Sequence, residues 1–130
     1  MVLAADLDAV PGVEKQGHVR PLKRQAELAD LDGRIDQQVR TAFLNLRSSS
    51  DLVTVARSNI ELANQTLAQA QDRFAAGVAS NLDVVQAQES VASANQSHIA
   101  SLYAYNLAKI SLAQAIGIAE QAALQYLGLK

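Results

Sequence analysis

The side chains that most often perform catalysis are few and isolated in this sequence. Its histidines are His18 and His98, and the 130-residue chain contains no cysteine. A catalytic histidine needs a second group that shares its proton or perturbs its pKa. His98 falls on a packing position of the helical repeat described below, where a packed or hydrogen-bonded side chain explains it better than a ligand or a base. Glu89 and Glu120 each stand alone on a predicted helix face.

Sequence motifs for cofactors and metals are missing as well. The chain shows no glycine-rich phosphate loop, no metal-ligand spacing and no nucleophile elbow. We therefore expect no enzymatic activity, no cofactor and no metal site.

Charge and composition argue against two other classes of partner. The net charge is -2 and the pI is near 5.6, whereas nucleic-acid binding needs a clear basic excess. Tyr103 and Tyr105 point to different helix faces and lack interleaved basic residues, so a base-stacking surface is not expected. The most apolar stretch, 99–118, is interrupted by Asn106, Lys109 and Gln114, which excludes a membrane-spanning helix.

The organisation of the chain predicts an all-α fold. Residues 1–20 hold Pro11, Gly12 and Gly17 without a sustained period and are interpreted as a loose N-terminal arm. From about residue 22 to 76 a helical period follows, and a second runs from about 81 to 116. We interpret 21–130 as one long antiparallel helical hairpin, with its turn at 77–80.

The strongest pattern is a heptad seam, in which large and small residues alternate at two positions of a seven-residue repeat. On the first helix the large positions are Val39, Leu46, Val53, Ile60, Leu67 and Phe74, and the small ones are Ala42, Ser49, Ala56, Ala63 and Ala70. On the second helix the large positions are Val84, Val91, His98, Tyr105 and Leu112, and the small ones are Ala87, Ala94, Ser101, Ala108 and Ala115. Matching seams predict that the two helices pack together coiled-coil-like, with small residues allowing close approach.

The turn between the helices contains a stop signal followed by a start signal. Gly77 can adopt the left-handed conformation that closes a helix. Ser80 can cap the next helix, and Asp83 stands at the acidic position of a capping box. After the second helix, Gly117 predicts another stop, with a short C-terminal helix over about 119–126.

Each helix also carries a second apolar stripe that lies off the seam. On the first helix it comprises Leu44, Leu52, Val55 and Leu62; on the second, Val85, Ala92, Ile99, Leu102 and Ile110. A lone hairpin gives each helix only one partner, so these stripes predict lateral neighbours in a larger helical wall. The neutral polar residues from Gln86 to Ser97 are interpreted as a water-exposed face, or as the lining of a hydrated channel.

With these patterns in place, the chain resembles the outer-membrane efflux proteins of the TolC family, over roughly residues 22–118. The resemblance is carried by two segments of the first helix, the turn and the return helix. In order, these are 39–46 and 63–67, then Arg73, Phe74, Gly77, Ser80, Asp83, Val84, Ala87 and Gln88, then Tyr103, Tyr105, Asn106, Ala108, Leu112, Ile116 and Gly117. The turn motif with its fixed offsets is the most specific part.

The resemblance implies a periplasmic tunnel segment of a trimeric outer-membrane channel that exports small molecules or proteins with an inner-membrane pump and a periplasmic adaptor. It implies that the hairpin tip gates the tunnel and contacts the adaptor. The tip residues are then Arg73, Phe74, Gly77, Val78, Ala79 and Ser80. Asp83 and Gln86 become candidates for the pore entrance, where a second acid of the family pattern is replaced here by Gln86.

The chain departs from the family pattern in extent. It shows neither the paired alternating strands of a β-barrel nor the first of the family's two similar halves, and its first residues do not resemble a signal peptide. We therefore expect a fragment with the periplasmic hairpin alone, from a protein that is membrane-inserted at full length. Periodicity by itself equally supports an alternative, a free-standing helical-hairpin interaction or scaffold module.

Overall fold

The computed structural model describes residues 11–128, with side chains for 19–125, 127 and 128. It contains two helices, α1 (Pro11–Ala75) and α2 (Asn81–Tyr126), and the described residues include no strand. Contacts divide the chain into two units, of which the first ends at Gln38 and the second begins at Val39. The all-α hairpin predicted from the sequence is confirmed.

The first unit shows that the predicted loose arm is wrong for residues 11–20, which are helical; residues 1–10 lie outside the described part. Pro11 suits a first helical position because its missing N–H would be unpaired there anyway. Pro21 lies inside α1, although an interior proline removes one backbone hydrogen bond. The intervening sequence supplies Glu, Lys and Gln, which favour helix strongly enough to continue it. An exposed ion pair joins Arg34 Nη2 to Asp30 Oδ2 at 3.0 Å.

The second unit confirms the heptad seam almost residue for residue. Its buried core consists of five alanines at small seam positions, between 6% and 9% exposed: Ala42, Ala56, Ala87, Ala108 and Ala115. The other small seam residues and the large ones from Val39 to Leu112 are partly buried. Phe74 is the exception, since its side chain is 49% exposed. It lies in the last turn before the chain leaves α1, where fewer side chains of α2 are available to cover it.

The pairing of the two helices is antiparallel. Ala63 of α1 and Ala94 of α2 line one groove, and Ala70 and Ala87 line the next groove toward the turn. Residue numbers thus rise on α1 as they fall on α2. Because small residues face small residues at these levels, the two backbones can approach more closely than with Leu or Ile there.

The end of α2 corrects a second prediction. Gly117 does not stop the helix, and residues 119–126 are the last turns of α2 rather than a separate short helix. A single glycine in a helix costs about 1 kcal/mol relative to Ala, and neither a proline nor a capping residue follows Gly117 to add to that cost. The stop comes instead at Gly128, whose φ is 66°, and the Leu127 N–H donates to the Ala123 carbonyl at 3.0 Å.

The second apolar stripes are exposed, as the sequence predicted. On α1, Leu44, Leu52 and Val55 are each 56% exposed and Leu62 is 62% exposed. On α2, Ile99 is 68% exposed. Within residues 11–128, neither helix has a stretch long and apolar enough to cross a membrane.

The alanine core generates a stability prediction. Ala56→Leu places a larger side chain where α1 and α2 lie close together, and overpacking of this kind costs about 1–3 kcal/mol. Ala68→Leu is the matched control, because Ala68 is exposed on the same helix. Urea unfolding followed by circular dichroism should show a lower midpoint for Ala56→Leu only. Equal midpoints for the two variants would contradict close packing at Ala56.

Candidate functional site at the hairpin tip

The end of α1 is closed by a Schellman motif. The Val78 N–H donates to the Arg73 carbonyl at 2.9 Å, and the Gly77 N–H donates to the Phe74 carbonyl at 3.0 Å. These are the two hydrogen bonds that define the motif, with its left-handed residue at the position after the cap. Gly77 occupies that position with a φ of 75°. The prediction that Gly77 ends the first helix by a left-handed conformation is confirmed.

The start of α2 is closed by a full capping box between Ser80 and Asp83. The Ser80 N–H donates to Asp83 Oδ2 at 2.8 Å, and the Ser80 hydroxyl donates to the same oxygen at 2.9 Å. In return, the Asp83 N–H donates to Ser80 Oγ at 3.4 Å. The backbone N–H groups of Ser80 and Asp83, which the turn would otherwise leave unpaired, thus gain partners. The predicted cap at Ser80 and Asp83 is confirmed.

The electrostatics of the tip centre on Asp83. Hydrogen bonds from the Ser80 backbone and then from its side chain lower the pKa of the Asp83 carboxyl from its ordinary 3.8, and the positive charge of Arg73 lowers it further. Each of these groups stabilises the ionised carboxylate. Asp83 is therefore negatively charged over the whole neutral range, and it also places a negative charge at the positive end of the α2 dipole.

A groove of about 310 Å³ connects the tip residues of the two helices. Its lining includes Arg73 from α1, Ala79 from the turn, and Asp83 and Gln86 from α2. Four of the residues predicted for the tip and the pore entrance are thus brought to one surface. Sequence reasoning predicted neither Thr66 nor Gln69 for this site, although both line the groove from α1. Gln69 belongs to no motif, and Thr66 lies within the segment 63–67.

A second groove, of about 710 Å³, adjoins the first and shares Thr66, Gln86 and Ser90 with it. Most of its lining is neutral and polar, as in Asn59, Ser93 and Ser97, with the single acid Glu89. Of these, Glu89, Ser93 and Ser97 lie on α2, within the run 86–97 that the sequence analysis interpreted as a water-exposed face or a channel lining. The two grooves therefore adjoin on one side of the hairpin, where neutral polar side chains alternate with alanines and Leu62 and charged residues are few.

Three apolar side chains at the tip lie outside the tip groove. Phe74 is 49% exposed, Val78 is 68% exposed and Leu82 is 62% exposed, and none of them lines the tip groove. Leu82 was not among the predicted tip residues, although its place two residues after the capping Ser80 could have indicated it. Apolar side chains that remain exposed around a tight turn are typical of a surface that contacts another protein.

Among the described residues, His98 gains no catalytic geometry; the side chain of His18 lies outside the described part. His98 is partly buried on the seam, and its Nδ1 has no hydrogen-bond partner. Nearby on α2, Lys109 Nζ lies over the Tyr105 ring at 4.4 Å from its centroid. Among the described residues, no group of His, Cys, Asp or Glu is arranged to hold a metal ion. The described groups at the tip can bind and orient a partner or attract an ion.

Comparisons with known proteins identify a family. The family model described as outer membrane efflux protein matches residues 20–118. No curated protein and no solved structure shows a significant match to the chain. The matched range begins in α1, includes the whole turn, and ends within α2.

The capping box predicts a pH dependence of stability. Because the native pKa of Asp83 is lowered, its ionised form stabilises the fold at all pH values above 3.8, and this stabilisation is lost as the pH falls through the native pKa. Asp83→Asn removes the titrating group. Thermal unfolding from about pH 2 to pH 7 should show wild type more stable than Asp83→Asn near neutrality.

The difference between the two proteins should shrink in acid. Glu120→Gln serves as the control, since it also removes one carboxylate from α2, but far from the cap. A wild-type advantage over Asp83→Asn that persists unchanged at the lowest pH would contradict a charge-dependent cap.

Proposed function

Because the chain belongs to the outer membrane efflux protein family, we propose that its hairpin forms part of the periplasmic tunnel of a trimeric efflux channel. The observation that carries this proposal is the combination of a family match across both helices with exposed apolar stripes on each of them. Such stripes need neighbours to become buried, and a ring of adjacent hairpins supplies them. The segment then lies in the periplasm and transports solutes without catalysing a reaction.

The tip is proposed to contact a periplasmic adaptor, which links the channel to an inner-membrane pump. The proposed contact residues are Arg73, Phe74, Gly77, Val78, Ala79 and Ser80. Support comes from the exposed apolar side chains of Phe74 and Val78 and from the two caps that fix the backbone around them. A rigid turn loses little conformational entropy when it binds a partner, which favours contact at this place.

The two adjoining grooves are proposed to face the solute pathway, with Asp83 and Gln86 of the tip groove at its entrance. A lining of hydroxyl and amide groups keeps a pathway hydrated without holding charged solutes tightly. At the entrance Asp83 supplies a negative charge, and threefold symmetry would bring three copies together and raise the local attraction for cations.

The adaptor role generates a prediction about Gly77. Gly77→Pro removes the N–H that donates to the Phe74 carbonyl, and proline cannot adopt the φ of 75° found there. In the whole channel that carries this hairpin, the variant should lose adaptor-dependent export while trimers still assemble. Export is measured as drug resistance or solute efflux, and assembly by native electrophoresis.

Gly117→Ala is the matched control for this experiment. Gly117 is helical, and an added Cβ there would meet no atom within 4 Å, so export should be unaffected. Normal export by assembled Gly77→Pro channels would exclude the tip contact.

The pore-entrance role generates a prediction about Asp83. Asp83→Asn should weaken block of the channel by Mg²⁺ and alter its conductance, because the entrance loses its negative charge. Glu89→Gln makes the same charge change, but Glu89 lines the second groove and not the tip groove. Single-channel recording should therefore show a larger change for Asp83→Asn. Identical records for wild type and Asp83→Asn would remove Asp83 from the entrance.

A further inference from the structure

We propose that Arg73 is a specificity-determining residue, which limits how strongly the hairpin tip attracts cations by acting as a counter-charge to Asp83. This inference rests on the entrance role proposed above for Asp83. It assigns to Arg73 a function inside the groove, separate from contact with an adaptor.

The first support is that the two caps of the turn anchor the backbone of Arg73 and the carboxylate of Asp83. The Arg73 carbonyl accepts the hydrogen bond from the Val78 N–H at 2.9 Å, which anchors the Arg73 backbone in the Schellman motif. The Asp83 carboxylate is anchored directly, since Oδ2 accepts from the Ser80 N–H and from the Ser80 hydroxyl. The same turn therefore fixes the backbone of Arg73 and the carboxylate of Asp83.

The second support is their shared groove. Arg73 and Asp83 both line the tip groove of about 310 Å³, Arg73 from α1 and Asp83 from α2. Of the described charged groups, Arg73 is the one whose charge acts on Asp83, where it lowers the pKa. Glu89, the other acid on this side of α2, lines only the adjoining groove. A cation that enters the tip groove thus meets a pair of opposite charges.

The third support is the charge balance of the groove lining. Gln86 is neutral, and the other lining residues besides Arg73 and Asp83 are neutral as well. No second acid outweighs Arg73, so the lining carries one positive and one negative group. Removing Arg73 would leave Asp83 uncompensated, and its attraction for cations should rise.

The experiment compares Arg73→Gln with Arg73→Lys, which keeps the positive charge, and with Arg57→Gln, which removes an exposed charge elsewhere on α1. In the 130-residue chain, the titration of the Asp83 carboxyl is followed by NMR. In the whole channel, block by Mg²⁺ is recorded. For Arg73→Gln we expect the titration midpoint of Asp83 to move upward and block to strengthen about two- to fivefold, the range of an exposed charge pair.

Arg73→Lys should restore both readouts, and Arg57→Gln should change neither. An Asp83 titration and a Mg²⁺ block that are both unaltered in Arg73→Gln would overturn the inference. The proposed function fails differently: Asp83→Asn would then leave Mg²⁺ block unchanged, whatever Arg73→Gln does to the titration. If Asp83→Asn weakens the block but Arg73→Gln does not strengthen it, the entrance role survives and the counter-charge role is overturned.

Discussion

The close approach of α1 and α2 through small side chains is the constraint on which the second unit depends. Its buried hydrophobic side chains, each between 6% and 9% exposed, are all alanines, so this unit has no core of bulky side chains. Alanine loses no side-chain entropy on burial, and its small volume lets the two backbones approach closely. The partly buried large residues, such as Leu46 and Leu112, then cover the alanine layers from the sides.

The same few residues of the turn pair backbone groups at the helix ends and set the charge of the tip. Gly77, Ser80 and Asp83 provide partners for backbone groups at two helix ends, where unpaired groups would be costly. Because the Asp83 carboxylate serves as a cap, its charge is present whether or not an ion is nearby. A substitution at Asp83 therefore changes the stability of the turn and, under the entrance role proposed above, its attraction for cations.

The exposed stripes show that the hairpin by itself leaves large apolar side chains in contact with water. Large apolar side chains such as Val55, Leu62 and Ile99 remain more than half exposed, although the seam is formed. Leu62 also lines the second groove, so on α1 the apolar stripe and the grooved side of the hairpin meet at this residue.

The sequence by itself determined the helical hairpin, the seam and the caps, because a seven-residue repeat and a glycine–serine–aspartate turn act through local geometry. It was wrong at Gly117 and over 11–20, where single glycines and prolines were too weak to stop helices flanked by favourable residues. Only the tertiary structure decided that Thr66, Arg73, Asp83 and Gln86 share one groove. That arrangement depends on the register between α1 and α2, which is fixed by packing across the seam and cannot be obtained from the spacing within either helix.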